Sequence, residues 1–246
     1  MSQAINDQLV LIGGKSAGGK SASLRNLRNP ERVLYLNCES GKRLPFPAKF
    51  KQFTITDPYQ VHEAFAAVSP GGTQHDNFDV VVVDTLTYLL DMYESLYVIN
   101  SANTQKAWGD FAQFFKHLMQ QLVAGCGKQV IFLAHTLENL NESEMNMETK
   151  VPVKGSLKNN GIESYFSIVI AAKKVPTKLL ANYASELLHI TEEEELLGFK
   201  HVFQTKLTKE TVGERLRSPL GLFTTQETFT DNDVQLILDR LTHYYA

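Results

Sequence analysis

A chain of 246 residues with 43% hydrophobic and 21% charged residues has ordinary globular composition, long enough for one large core, which excludes a disordered chain. Its net charge of −3 excludes a global basic field, so any polyanion site must be local. Two cysteines, Cys38 and Cys126, no C-x-x-C pair and a polar start without a basic leader region point to a reducing cytoplasm, and apolar stretches such as Val80 to Val83 are far too short to cross a bilayer.

The apolar run Leu9–Ile12 predicts a first strand. It leads into Gly14-Lys15-Ser16-Ala17-Gly18-Gly19-Lys20-Ser21, a complete G-x-x-x-x-G-K-[ST] pattern, and a helix is expected from Lys20 to Leu27. Small residues at this spacing let successive backbone N–H groups curl around phosphate oxygens. Lys20 then reaches the β/γ-phosphates and the Ser21 hydroxyl takes a place on Mg²⁺. A helix beginning there adds the positive end of its dipole, so the candidate nucleotide contacts run from Gly14 through Ala22.

Further strands are predicted at Val33–Asn37, Val80–Val83, Val130–Ala134, Ile168–Ala172 and Val202–Leu207. The four consecutive valines are apolar on both faces, as a strand in the middle of a covered sheet must be. Pro58–Val68 and Thr104–Ala124 carry apolar residues at helical spacing, the second with a stripe from Trp108 to Leu122 that belongs in a core. Ser69–Asn77, Thr136–Lys154 and Glu192–Gly198 read as irregular, and Asp231–Tyr244 as a closing helix. The alternation of strands and helices predicts an α/β fold with a mostly parallel sheet. It forms one domain over 1–246, with a core at about 8–210 and a C-terminal hairpin and closing helix at about 211–246.

A phosphate loop also needs a second magnesium anchor and a group that orients water. Asp84 ends the valine strand, at the edge where ligands sit in open α/β folds, and a charge directly after four valines needs a reason to be there. Thr85 follows it, so the base must come from elsewhere. Glu39, just past the second strand, is the candidate, with a surface acid in a Glu-Ser-Gly turn as the open alternative. His135 closes the fourth strand and would sense the γ-phosphate for the loop that follows, or simply bond a nearby carbonyl.

With Gly14–Ser21, Glu39, Asp84 and His135 each at the end of a successive strand, the chain resembles the RecA/DnaB/KaiC group of P-loop ATPases over roughly residues 8 to 210. It looks most like the compact RecA-like, Sak-type single-strand annealing and recombination proteins of phages. The resemblance implies a RecA-like core that binds ATP and Mg²⁺ between copies of a homo-oligomer, with turnover that is slow or stimulated by DNA or a partner. It implies two loops facing single-stranded DNA, placed here at Tyr88–Asn103 and Thr136–Lys154. A second subunit would offer a basic residue to the γ-phosphate, a role open to Lys206, Lys209, Arg215 or Arg217. A single-strand DNA-binding protein is a further implied partner, in the cytoplasm of a host cell, with no membrane role. Filament formers of the group carry an added N-terminal segment, and only a short polar stretch precedes Leu9, so rings or short assemblies are expected.

Loop charge departs from a DNA groove. The first loop carries Asp91 and Glu94 without a Lys or Arg, and the second sets Glu138, Glu142, Glu144 and Glu148 against Lys150 and Lys154. Stacking on Tyr88, Tyr93 and Tyr97 would compensate in part, and Lys154, Lys158, Lys173, Lys174 and Lys178 form a candidate basic strip. The alternatives are a nucleotide-switched module whose acidic 136–154 loop binds a protein, and a small-molecule kinase, for which only Arg215 and Arg217 could furnish a lid.

Overall fold

The structure, a computed structural model, describes residues 5–142 and 145–246. The first four residues of the polar start, and Glu144 of the acidic segment, lie outside the described residues.

The chain lays down strands β1 (Leu9–Gly14), β2 (Val33–Asn37), β3 (Lys51–Thr54), β4 (Val80–Asp84) and β5 (Gln129–His135) in its first half. After these come β6 (Leu137–Asn141), β7 (Asn146–Lys150), β8 (Ile168–Pro176), β9 (Phe199–Gln204) and β10 (Phe229–Asp231). Eight of them form one sheet in the order β10-β9-β8-β1-β5-β4-β2-β3. From β8 to β3 all neighbours are parallel, whereas β9 runs antiparallel to β8 and β10 antiparallel to β9. The predicted mostly parallel sheet is therefore observed. Register places Gly14 beside His135 and Asn37 beside Asp84, so the candidate residues leave the sheet at one edge.

Alternation along each strand feeds two cores, one per face. Leu11, Val81 and Phe132 pack under α1 (Tyr59–Val68), α2 (Leu86–Tyr93) and α3 (Thr104–His117), through Phe65, Leu89 and Phe115. Val10, Val82 and Ile131 pack on the other face against Leu24 and against Ile237 and Leu241 of α7 (Val234–Tyr245). Val81 to Val83 are fully buried, and each such side chain contributes roughly 1.5–3 kcal/mol of transfer free energy. Among the described residues the remaining α-helices are α4 (Leu157–Asn160), α5 (Thr177–Leu180) and α6 (Glu192–Leu197).

Four expectations are corrected. The helix expected over Lys20–Leu27 is a six-residue 3-10 helix, Ser21–Asn26; the Ser23 hydroxyl donates to the Lys20 carbonyl at 2.6 Å, a local bond that competes with the helical ladder. Tyr88–Asn103 is largely helical, because Leu86, Leu89, Leu90 and Tyr93 bury one face of α2 and Thr85 caps it, and a π-helix, Glu94–Val98, continues it. Thr136–Lys154 contains the antiparallel hairpin β6–β7. Glu192–Gly198 is α6, started by a Thr191/Glu194 capping box and stopped at Gly198 with φ +78°. The partner of β10 is β9, so the expected C-terminal pairing reaches back into the 8–210 core.

Candidate functional site

The phosphate loop leaves β1 and presses against β8. A Cβ on Gly14 would stand 2.6 Å from the Ala172 carbonyl oxygen, which explains glycine there. Ala17 is held at φ +58°, a strained value for a residue with a Cβ, of the kind that clusters at ligand-binding turns. Lys20, only 6% exposed, donates Nζ to the carbonyls of Gly14 at 2.9 Å and Lys15 at 3.0 Å. Burial brings its pKa down to about 8, against the pull of Asp84 and Glu39.

Asp84, at the end of β4, is 2% exposed. Its Oδ2 accepts from the Ser21 hydroxyl at 2.8 Å and from the Tyr35 hydroxyl at 2.7 Å. Burial pushes its carboxyl up, with those two bonds opposing. Among the described residues Oδ1 is buried without a hydrogen-bond partner, a costly arrangement that a cation would relieve. A hydroxyl and a carboxylate beside a phosphate loop are the hard oxygen donors that suit Mg²⁺, which binds through few carboxylates plus substrate phosphates. The residues present fit that ion.

Glu39 follows β2 at a turn where Ser40 (φ +54°) and Gly41 (φ +79°) reverse the chain. Its side chain, 9% exposed, accepts from Lys42 Nζ at 2.7 Å and lies 3.2 Å from His135 Nε2. Burial opposes its ionisation, but the bonds to Lys42 and His135 prevail and hold the carboxyl below its usual value. The other ring nitrogen, His135 Nδ1, is 3.4 Å from Lys20 Nζ. These groups line a cleft of about 590 Å³ that runs along Ser16–Ala22 toward His201 and Asn232. Arg25, Lys42 and Arg43 also line it, and sequence reasoning missed all three, although Lys42-Arg43 directly follows the Glu39 turn.

The remaining candidates fare differently. Lys206 donates to the Phe223 carbonyl at 3.2 Å, Arg215 pairs with Glu148 and Glu163, Arg217 bonds the Ser164 carbonyl, and Lys209 is exposed. None of the four lines the cleft of its own chain. Tyr88 is exposed, but Tyr93 is 2% exposed and cannot offer its face to a base, which corrects its place in a stacking trio. Tyr97 is held by Asp57. Lys150 is engaged by Glu148, Lys154 by Glu94 and Lys173 by Gln204 and Glu214, while Lys158 is exposed. Two of the five lysines of the basic strip, Lys154 and Lys173, are thus paired with acids within the chain.

A phosphate loop at the carboxyl edge of a mostly parallel, helix-covered sheet, with a buried Asp on the loop's serine, defines a P-loop domain. A family model described as an AAA domain matches residues 6–212, and the chain belongs to that family. No curated protein matches it. Among solved structures it is similar to the RadB recombinase, at 18% identity and a TM-score of 0.40 over 70% of this chain and 77% of that one. It is also similar to a KaiC-like protein from the hyperthermophilic archaeon Pyrococcus horikoshii OT3, at 12% identity and a TM-score of 0.46 over 89% and 91%. Among the described residues no helix is long and apolar enough to cross a membrane.

Proposed function

We propose that this protein is an ATPase that works as a homo-oligomer in the cytoplasm on single-stranded DNA, in recombination or strand annealing of the phage Sak type. One observation carries the ATPase reading: Lys20, Ser21, Glu39 and His135, from three separate chain segments, line one cleft, and the buried Asp84, from a fourth, accepts from the Ser21 hydroxyl at 2.8 Å. The loop N–H groups and Lys20 would bind the β/γ-phosphates. Mg²⁺ bound with ATP would be held by Ser21 and Asp84 and would neutralise charge on the phosphates. Glu39 would orient a water whose oxygen attacks the γ-phosphorus as the bond to the β-phosphate oxygen breaks; ADP leaves and Glu39 takes the proton. His135, two residues before β6, would pass the state of the γ-phosphate to the β6–β7 hairpin.

A second reading is favoured by the hairpin itself. Leu140 and Met147 face each other across it and are 59% and 53% exposed, while its one lysine, Lys150, is paired with Glu148. Such a surface suits a basic, partly apolar protein partner better than a polyanion. Calorimetry with Mg-ATP tests the nucleotide, and oligonucleotide affinity with and without ATP across salt concentrations tests the target. A steep salt slope supports DNA; no binding at low salt leaves the protein partner standing. Failure of the wild-type chain to take up ATP would end both readings.

A further inference from the structure

The element after the phosphate loop is short, one 3-10 helix of six residues that ends at Asn26. So short a helix carries few ladder bonds of its own and cannot by itself fix the direction of the loop N–H groups. The junction of β10 and α7 supplies the hold. Asn232, 4% exposed, donates Nδ2 to the Gly19 carbonyl at 2.9 Å, and its own carbonyl accepts from Arg25 at 2.7 Å. The next residue, Asp233, accepts from Asn26 at 2.6 Å, and Asp239 within α7 takes both ends of the Arg28 guanidinium at 2.8 and 2.6 Å.

Gly19 sits at φ +99°, and a Cβ there would stand 2.6 Å from Asn232 Nδ2. Glycine permits that conformation but does not select it, because it visits both signs of φ with similar ease. A neighbour must make the choice. The Asn232 amide is turned so that its NH₂ meets a carbonyl, and this leaves Oδ1 buried with no partner among the described residues. An unsatisfied buried oxygen costs stability, so the contact made by the nitrogen has a value beyond folding.

We propose that Asn232 is a positioning residue of the nucleotide site: from 213 positions downstream it selects the left-handed geometry of Gly19 and so aims the loop N–H groups at the phosphates. Nucleotide affinity therefore depends on the C-terminal helix. The inference rests on the reading of the cleft as a nucleotide site.

The test is calorimetry with a non-hydrolysable ATP analogue and Mg²⁺ on the full chain, comparing wild type with Asn232→Ala, Asn232→Asp, Arg28→Ala and Lys20→Ala. Asn232→Asp keeps the shape but has no N–H to give, and circular dichroism reports whether each variant is folded. Both Asn232 variants should bind about tenfold more weakly. Amide hydrogen exchange at Gly19 and Lys20 should be faster in each without nucleotide. Arg28→Ala breaks the same helix contact away from the loop, and should lower the melting temperature while binding as wild type does. Binding by Asn232→Ala within twofold of wild type overturns the proposal, as does an equal loss in Arg28→Ala. If the wild-type chain takes up no nucleotide, or Lys20→Ala binds equally well, the cleft itself has been misread and this inference falls with it.

Discussion

His135 Nε2 lies 3.2 Å from Glu39 Oε1, a contact that ties the end of β5 to the turn after β2 over the top of the intervening strand β4. Because the same ring approaches Lys20, one imidazole joins the phosphate-binding lysine to the candidate base. Removing it should spare nucleotide binding and slow turnover: His135→Ala is expected to bind Mg-ATP within a few-fold of wild type and to hydrolyse it about 10²-fold more slowly. Calorimetry and steady-state phosphate release on one preparation check both halves.

Glu39 must be ionised to accept a proton, and its bonds to Lys42 and His135 hold its carboxyl below the ordinary value of 4.5. Hydrolysis should therefore lose its acid limb only below about pH 4.5. Lys42→Ala removes the 2.7 Å bond and should move that limb to higher pH. The stability term has the same sign, present above the unfolded value and lost as pH falls through the lower folded one. A limb that stays in place in Lys42→Ala would remove Glu39 from the role of base.

Asp84 concentrates cost and use in one group, since burial disfavours its charge while the magnesium reading requires it. Asp84→Asn should abolish Mg²⁺-dependent hydrolysis by at least ~10²-fold. The melting temperature should hold or rise, by about 2–4 °C for each kcal/mol regained. Scanning calorimetry beside a turnover assay reads the trade directly; a variant that melts lower and still hydrolyses would contradict it.

Much of this site was legible because its chemistry is local: the loop pattern is contiguous, and Asp84 and His135 are marked by the apolar strands they terminate. Tyr35 was hidden, because it reaches Asp84 only through the pairing of β2 with β4, which no local signal encodes. The edge strand β3, Lys51–Thr54, is exposed at every position and so lacks the apolar run that betrayed its neighbours. For α2 and α6 the signals were present, in the Leu86, Leu89, Leu90, Tyr93 spacing and in Thr191-Glu192-Glu193-Glu194, but loop polarity and the glutamate run outweighed them.

His62 stacks on Phe114 with ring centroids 4.3 Å apart. Burial, and then His117, bring its pKa from 6.5 down to about 4. The folded state thus binds fewer protons than the unfolded chain between those values, so this contribution is complete above pH 6.5 and drains away as pH falls toward 4. Urea denaturation at pH 7, 5.5 and 4.5 should show a loss that His62→Phe flattens. An identical pH dependence in the variant would locate the effect elsewhere.

Arg215 Nη2 lies 2.6 Å from Glu148 Oε1, and Nη1 3.4 Å from Glu163 Oε2, fastening the segment before Arg217 to β7 and to the turn that precedes β8. Glu163 is 5% exposed and also accepts the Val151 N–H at 2.8 Å. Without the guanidinium its carboxylate would stay buried with one partner fewer, so Arg215→Ala should destabilise the isolated chain by about 1–3 kcal/mol. A residue that acts on a neighbour's γ-phosphate would behave in the opposite way, losing turnover at full stability. Thermal melts and hydrolysis measured on the same preparation separate the two roles: a lower melting temperature assigns Arg215 to the fold, whereas an unchanged one with turnover lost would return it to the residues that act across a subunit interface.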